Sequence, residues 1–266
     1  MMKRLTKTFL LLIIISMTGC QSLLKLTYQN EDFEWVKPEN LAKVVIQSTR
    51  DIGFRFVVTD IDTIDELYES LSAALPVDEV SGLEPDYIFE FTTYENEVLK
   101  YYYTTGIGSQ ESGGNFYNDD KIYVVLNRID NSLIKNVFAL RKPQDFFSGY
   151  YGSILQAVER VQEDFADKSI GVMINEDKEM LKFQMSHEIL DFNLELNKMG
   201  VHPVYTDREQ DLVMNINTQG YKTSLFKGVV ELRDNQKKRN SRYYILSEYV
   251  DDQWKTQVSD ELPEGF

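Results

Sequence analysis

The sequence predicts an α+β protein of antiparallel or mixed sheets with few helices, and three features of its patterning carry that reading. Short segments of alternating polarity, rich in tyrosine, phenylalanine and β-branched residues, recur along the chain. Only a few stretches space their apolar residues three and four apart. Strands and helices come in groups, which argues against the strict βα alternation of a solute receptor of the periplasmic type.

Ala42–Ser48 and Gly53–Asp60 are expected as strands. Ile61, Ile64, Leu67, Tyr68, Leu71 and Leu75 then fall on one helical face, and Pro76 ends that helix. Strands are expected at Asp86–Tyr94, Glu97–Thr105 and Lys121–Asn127, the first two joined tightly at Glu95-Asn96. Asp130–Asp167 reads as helix broken around Pro143 and Gly149, clearest over Ser153–Phe165, where Ile154, Ala157, Val158, Val161 and Phe165 share a face. Strands at Ser169–Asn175 and Met180–Met185 precede a helix capped by Ser186, packed through Ile189, Leu190, Leu194 and Leu196, and closed by Gly200. Three more strands follow at Asp211–Thr218, Thr223–Arg233 and Arg242–Tyr249, the last two separated by the basic turn Asp234–Ser241.

Both halves read strand, strand, helix, strand, strand, strand, which raises two similar ββαβββ modules. Two unrelated α+β domains, or one continuous mixed sheet, give the same local pattern. The division that follows is residues 1–19 as signal peptide, 20–40 as membrane tether, 41–145 as a first α+β domain, 146–168 as a linking helix, 169–260 as a second domain and 261–266 as an acidic tail.

Lys3, Arg4 and Lys7 precede an apolar run from Phe9 to Ile15, and Met17-Thr18-Gly19 leads into Cys20, the one cysteine of the chain. The run is far shorter than the roughly 20 residues a membrane span needs. This start resembles the signals of bacterial lipoproteins, with Met17 where leucine is commoner. The resemblance covers the first twenty residues only. It implies cleavage before Cys20, lipidation of the Cys20 thiol, and a lipid-anchored protein at the cell membrane on its extracytoplasmic face. Acyl chains contribute about 0.8 kcal/mol per buried methylene, so two or three hold durably. With the thiol committed to lipid, no internal disulfide forms and stability has to come from a packed core.

Asp and Glu number 43 against 28 Lys and Arg, a formal net charge of −15. Removal of the signal takes three basic residues and leaves the chain more acidic still. Such a surface repels nucleic-acid phosphates and anionic headgroups, and it favours basic partners or divalent cations. Nucleic acid is therefore excluded as the expected partner.

The motifs that suggest chemistry are each incomplete. His187-Glu188-Ile189-Leu190-Asp191 approaches the zinc-protease pattern H-E-x-x-H, with His202 as a third candidate ligand, but Asp191 replaces the second histidine. Ser132-Lys135 and Ser224-Lys227 have the S-x-x-K spacing without its companion motifs, and Ser224 is expected in a strand. The loop Thr104–Asp120 offers Gly106 and Gly108 after a strand, yet Glu111 takes the third glycine position and no P-loop lysine follows. It is expected as a mobile hairpin loop, and as the first place to look in a binding protein. The nucleophile elbow fails around Ser112, where Gln110 precedes. Asp60, Asp62, Asp65 and Glu66, and then Asn175, Asp177 and Glu179, are acidic clusters without EF-hand spacing; Asp60 or Asp62 is expected to cap a helix. Tyr101-Tyr102-Tyr103, Tyr150-Tyr151 and Tyr243-Tyr244 are expected to pack half-buried sheets, while several rings sharing an outer face would make a peptide or glycan surface. Leu262-Pro263-Glu264-Gly265 lacks the threonine and following span of a sortase signal and reads as acidic tail.

No catalytic residue, metal ligand or cofactor site is expected. The sequence points to a non-catalytic binding module at the cell envelope, tethered to the membrane through lipid on Cys20, with a protein, peptide or glycan partner. The alternatives are an envelope hydrolase using paired carboxylates and the substrate-binding lipoprotein of a transporter.

Overall fold

A computed structural model of the protein describes residues 29–107, 113–126, 129, 142–206 and 210–266. Cys20 with the whole signal, Glu111 and Ser112, and the expected helical stretch 130–141 with Ser132 and Lys135 lie outside the described residues. Each half is organised around its own sheet, in keeping with the α+β prediction.

The first sheet contains β1 (Leu41–Ser48), β2 (Arg55–Val58), β3 (Leu75–Pro76), β4 (Tyr87–Thr93), β5 (Val98–Tyr103), β6 (Phe116–Tyr117) and β7 (Ile122–Val124). Their order is β2-β1-β4-β5-β6-β7-β3, with antiparallel pairing throughout. Alternation sends Val44, Ile46, Phe89, Phe91, Tyr101 and Tyr103 to one face, and the register sets Ile46 beside Phe89 and Phe89 beside Tyr101. The Tyr101 ring stacks on Phe116 at 4.8 Å. Helix α1 (Ile61–Ser72) covers this face through Ile64, Leu67 and Leu71. Asp60 caps it, its Oδ2 accepting from the Thr63 N–H at 3.0 Å. The turn at Glu95-Asn96 uses a positive φ of 65° at Asn96, a conformation asparagine tolerates well.

The segment expected as a tether is folded from Asn30 onward. Glu31–Val36 forms a 3-10 helix capped by Asn30, and its Phe33 and Val36 are fully buried in the first core. Positions three apart eclipse in a 3-10 helix, so this pair makes a single apolar edge on an otherwise acidic segment.

The second sheet contains β8 (Ile170–Met173), β9 (His202–Pro203), β10 (Leu212–Lys222), β11 (Leu225–Asp234), β12 (Arg239–Val250) and β13 (Gln253–Ser259), in the order β13-β12-β11-β10-β8-β9. The β10–β8 and β8–β9 pairings are parallel and the others antiparallel. Helices α2 (Gly152–Asp164) and α3 (Ser186–Lys198) pack on one face. Ile154, Val158, Val161, Phe192 and Leu196 meet Met214, Ile216, Val230 and Ile245 in one core. The helix expected to link the halves is thus a layer of the second core. Its approach is a π-helical turn, Phe147–Tyr151, in which a Cβ on Gly149 would lie 2.6 Å from Trp254 Cε2.

Three expectations in this half change. Met180–Met185 is not a strand: Leu181–Phe183 is a 3-10 turn, because Asp177, Met180 and Phe183 are buried at a period of three rather than two. On α3 the buried positions are Phe192 and Leu196, with Ile189 and Met199 packed beside them, whereas Leu190 and Leu194 are 45% and 49% exposed. Strand β13, not expected from the sequence, hides because QWKTQVS is mostly polar; it turns back through Asp251 and Asp252, both at positive φ. The tail beyond it packs on the sheet, with Lys227 Nζ donating to the Gly265 carbonyl at 2.6 Å and the Phe266 ring 5.3 Å from Tyr244.

Candidate functional site

The ends of β1, β4 and β5 converge where the first half meets α3. Past β1, the Ser48 hydroxyl accepts from the N–H groups of Arg50 and Asp51, a tight local turn that aims the arginine outward from the sheet end. The Thr49 N–H donates to the Asp86 carbonyl at 3.0 Å, and the Asp86 N–H donates to the Tyr103 carbonyl at 2.8 Å. Backbone pairing therefore fixes Arg50, Asp86 and Thr105 relative to one another.

Asp86, 2% exposed, satisfies its carboxylate from both halves of the chain. Oδ2 accepts from the backbone N–H and hydroxyl of Thr105, each at 2.8 Å. Oδ1 accepts from Arg50 Nη1 at 2.6 Å and from the backbone N–H of Ser186 at 2.8 Å. The second bond caps α3 from outside, and its negative charge sits at the positive end of that helix. Ser186 is not the local side-chain cap expected of it: its hydroxyl accepts from Arg50 Nη2 and donates to the Glu84 carbonyl at 2.7 Å. Arg50 Nη1 also reaches the Gln184 carbonyl at 3.4 Å. Removing one member of such a buried pair costs about 3–5 kcal/mol, since the other charge is left without compensation.

Beside this junction lies a cleft of about 500 Å³. Arg50, Gln184 and Ser186 are among its polar groups, Gly82, Leu83 and Glu84 come from the first half, and Val172, Ile174, Leu181, Ile189, Leu190, Asn193, Pro203, Val204 and Tyr205 from the second. The first-half wall is pinned: the Ser81 N–H donates to the Gly114 carbonyl at 2.9 Å, and a Cβ on Gly113 would meet Ser81 N at 2.9 Å. The two exposed apolar residues at its rim, Leu190 and Tyr205, are free to cover an incoming group.

The residues singled out in the sequence are distributed differently. His187 lies one residue into α3 with Nδ1 3.5 Å from the Thr105 hydroxyl, and its ring rests against Gly106. Glu188 is largely buried; desolvation raises its pKa, opposed by Lys142 and His187, and its Oε2 has no hydrogen-bond partner. Asp191 and His202 are exposed, and His202 meets Asn197 Oδ1 at 3.3 Å. Among the described residues no group of three or more His, Cys, Asp or Glu could hold a metal ion.

The glycine-rich loop is pinned in its described parts rather than mobile. Gly106 meets His187, Asn115 bridges the Ile107 carbonyl and the Val125 N–H, and β6 lies within it. None of its described residues lines the cleft. Asp62, Asp65 and Glu66 face solvent, whereas Asp177 is buried and accepts from Tyr150, and from the N–H and hydroxyl of Thr218. Its pKa is raised by desolvation against those hydrogen bonds. Tyr101, Tyr103, Tyr150, Tyr151 and Tyr243 are buried; Tyr102 stacks on Tyr117 at 5.6 Å on the opposite face of the first sheet. Ser224 sits in the β10–β11 turn rather than in a strand.

Sequence reading missed Arg50, Asp86, Gln184, Asn193 and Tyr205. Arg50 and Asp86 are about a hundred or more residues from Ser186, so no local spacing announces the cluster. Exposed Tyr205 after Pro203-Val204 was the one local signal.

The geometry defines an α+β protein of two sheet modules joined by a buried ion pair, with an amphipathic cleft at the joint. Residues 37–143 match the family described as YhfM protein. That span takes in the whole first sheet and leaves α3 and the second sheet outside it. No curated protein and no solved structure matches the chain.

Proposed function

We propose that this is a lipid-anchored, extracytoplasmic binding protein whose cleft takes an extended peptide by an apolar side chain. The observation that carries the reading is the cleft itself: apolar walls from both halves around a few fixed polar groups, the usual make-up of a ligand site. Ser186 supports binding over catalysis, because its hydroxyl is held between Arg50 and the Glu84 carbonyl rather than by a base. The Asn193 side chain, with neighbouring backbone, supplies orientation for a main chain, and Leu190 offers the apolar ledge. The anchor rests on the lipobox ending at Cys20.

Panning a randomised hexapeptide library on the full-length protein tests the cleft. Sequences with a large apolar residue are expected to be enriched, and Leu190→Asp is expected to abolish the enrichment. Equal enrichment on both proteins would move the site elsewhere. Metabolic labelling with palmitate tests the anchor: label on the parent and none on Cys20→Ala is the expected result, and an unlabelled parent removes the membrane address.

A further inference from the structure

Strand β13 ends the second sheet, and its outer edge is open among the described residues. Val250 and Gln253 face each other across the two-residue turn Asp251-Asp252, whose φ values are 55° and 60°, so this pair is a hydrogen-bonded one and the pattern alternates from there. Tyr249 fixes the phase independently: its N–H turns away from β13 and donates to the Ser224 carbonyl at 3.0 Å. Lys255, Gln257 and Ser259 therefore use their backbone groups on β12, whereas Trp254, Thr256 and Val258 each direct an N–H and a C=O outward. No backbone group of another described segment meets them.

The strand lacks the devices that commonly blunt an edge. It contains no proline, its register runs without a bulge from Gln253 to Ser259, and the charge of its one lysine, Lys255, is taken by Asp251 at 3.1 Å. The tail leaves it uncovered as well, because the contacts of Gly265 with Lys227 on β11 and of Phe266 with Tyr244 on β12 lead the tail inward across the sheet.

Charge at the two ends of the strand selects the occupant. On α2 and the facing stretch of the hairpin, Arg160, Arg242 and Lys255 already hold Asp164, Glu231 and Asp251. Asp252 at one end, and Asp260 and Glu261 at the other, are exposed and hold no cation among the described residues. A second copy of this chain fits badly. Antiparallel self-pairing centred on Thr256, the register that engages all three open residues of both copies, sets Asp252 opposite Asp260 and Asp251 opposite Glu261 at each end.

We propose that the edge of β13 binds an extended segment of a partner protein by antiparallel strand addition, and that this segment carries a lysine or arginine at each end to meet Asp252 and the Asp260-Glu261 pair. Main-chain hydrogen bonds to Trp254, Thr256 and Val258 supply affinity, and the end charges supply selection. The distance from position 252 to position 260 along the strand is about 27 Å, so the segment is nine residues long. The cleft draws on β8 and β9 at the opposite end of the sheet order, and this inference stands independently of what the cleft binds.

The test titrates fluorescein-labelled nonapeptides against the full-length protein by fluorescence polarisation. One peptide has alternating valine and threonine between two lysines, a second has glutamate at both ends, and a third has the lysine ends with proline at the centre. The lysine-ended peptide is expected to bind about tenfold more tightly than the glutamate-ended one, the scale of a few exposed ion pairs, and the proline peptide is expected not to bind. Thr256→Pro removes an N–H that β12 does not use and is expected to abolish binding. Should that variant misfold, Asp260→Lys with Glu261→Lys, at exposed positions, is expected to erase the preference for lysine ends. Leu190→Asp is expected to leave the affinity unchanged. Equal affinity for lysine and glutamate ends, binding retained by Thr256→Pro, or no binding at all overturns the proposal. Loss of binding in Leu190→Asp would move the peptide to the cleft, and dimerisation of the unaltered protein that Thr256→Pro abolishes would make a second copy the occupant; either result overturns it.

Discussion

The carboxylate of Asp86, immediately before β4 in the first half, accepts from the backbone N–H of Ser186, the first residue of α3 in the second half, at 2.8 Å. A helix end is thereby satisfied by a residue a hundred positions away, and the same carboxylate neutralises Arg50. The junction is a shared polar core rather than a linker.

Asp86→Ala is expected to lower stability by about 3–5 kcal/mol, because it strands the Arg50 guanidinium and an amide at the head of α3. The two tryptophans make the coupling visible. Trp35 packs 5.1 Å from Phe91 in the first core, and Trp254 packs against the second. Single-tryptophan variants, Trp35→Phe and Trp254→Phe, should report coincident urea transitions on the parent background and separated transitions once Asp86 is alanine. Coincidence in both backgrounds would mean that the halves are coupled by something other than this carboxylate.

Gly106 has φ of +75°, and a Cβ there would lie 2.4 Å from His187 Nδ1. Gly106→Ala is therefore expected to cost about 2–4 kcal/mol, from the clash and from a left-handed backbone that alanine resists. In a double-mutant cycle, His187→Ala should recover the clash and leave about 1 kcal/mol of backbone strain. Additive effects in thermal melts would show that the imidazole has room to move aside.

Glu188 ties the junction to pH. Burial raises its pKa above the ordinary 4.5, so the folded state binds a proton more readily than the unfolded one. Stability from this group is therefore fully present below pH 4.5 and is lost as pH rises from there through the folded value. Asp177 acts in the same direction above 3.8, whereas Asp60, Asp164 and Asp211, with lowered values, act in the opposite one. Glu188→Gln should thus gain stability relative to the parent as pH rises from 4 to 7. A difference that stays constant across a urea series at those pH values would contradict the burial penalty.

Much of the sheet content was legible because the chain alternates polarity where one face is covered. Val44 and Ile46, and Phe89 and Phe91, mark β1 and β4 without reference to anything else, and the acidic pair Asp60 and Asp62 marks the start of α1, with the structure assigning the cap to Asp60. Phe33 and Val36 were not legible as core, since two apolar residues in an acidic stretch make no helical stripe and only the 3-10 geometry aligns them. On α3 the apolar residues exceed one stripe, so spacing alone did not distinguish buried Phe192 from exposed Leu190. That ambiguity concealed the rim of the cleft.

What the sequence by itself determined is what short-range physics encodes: the α+β class, most strands, a helix cap at Asp60 or Asp62, and a lipobox expectation that ends at Cys20. What only the tertiary structure decided is which polar groups meet. Arg50, Asp86 and Ser186 stand together because strand ends and a helix start from distant parts of the chain are brought to one place. Their proximity is a property of packing, and packing between distant segments leaves no period for a sequence to display.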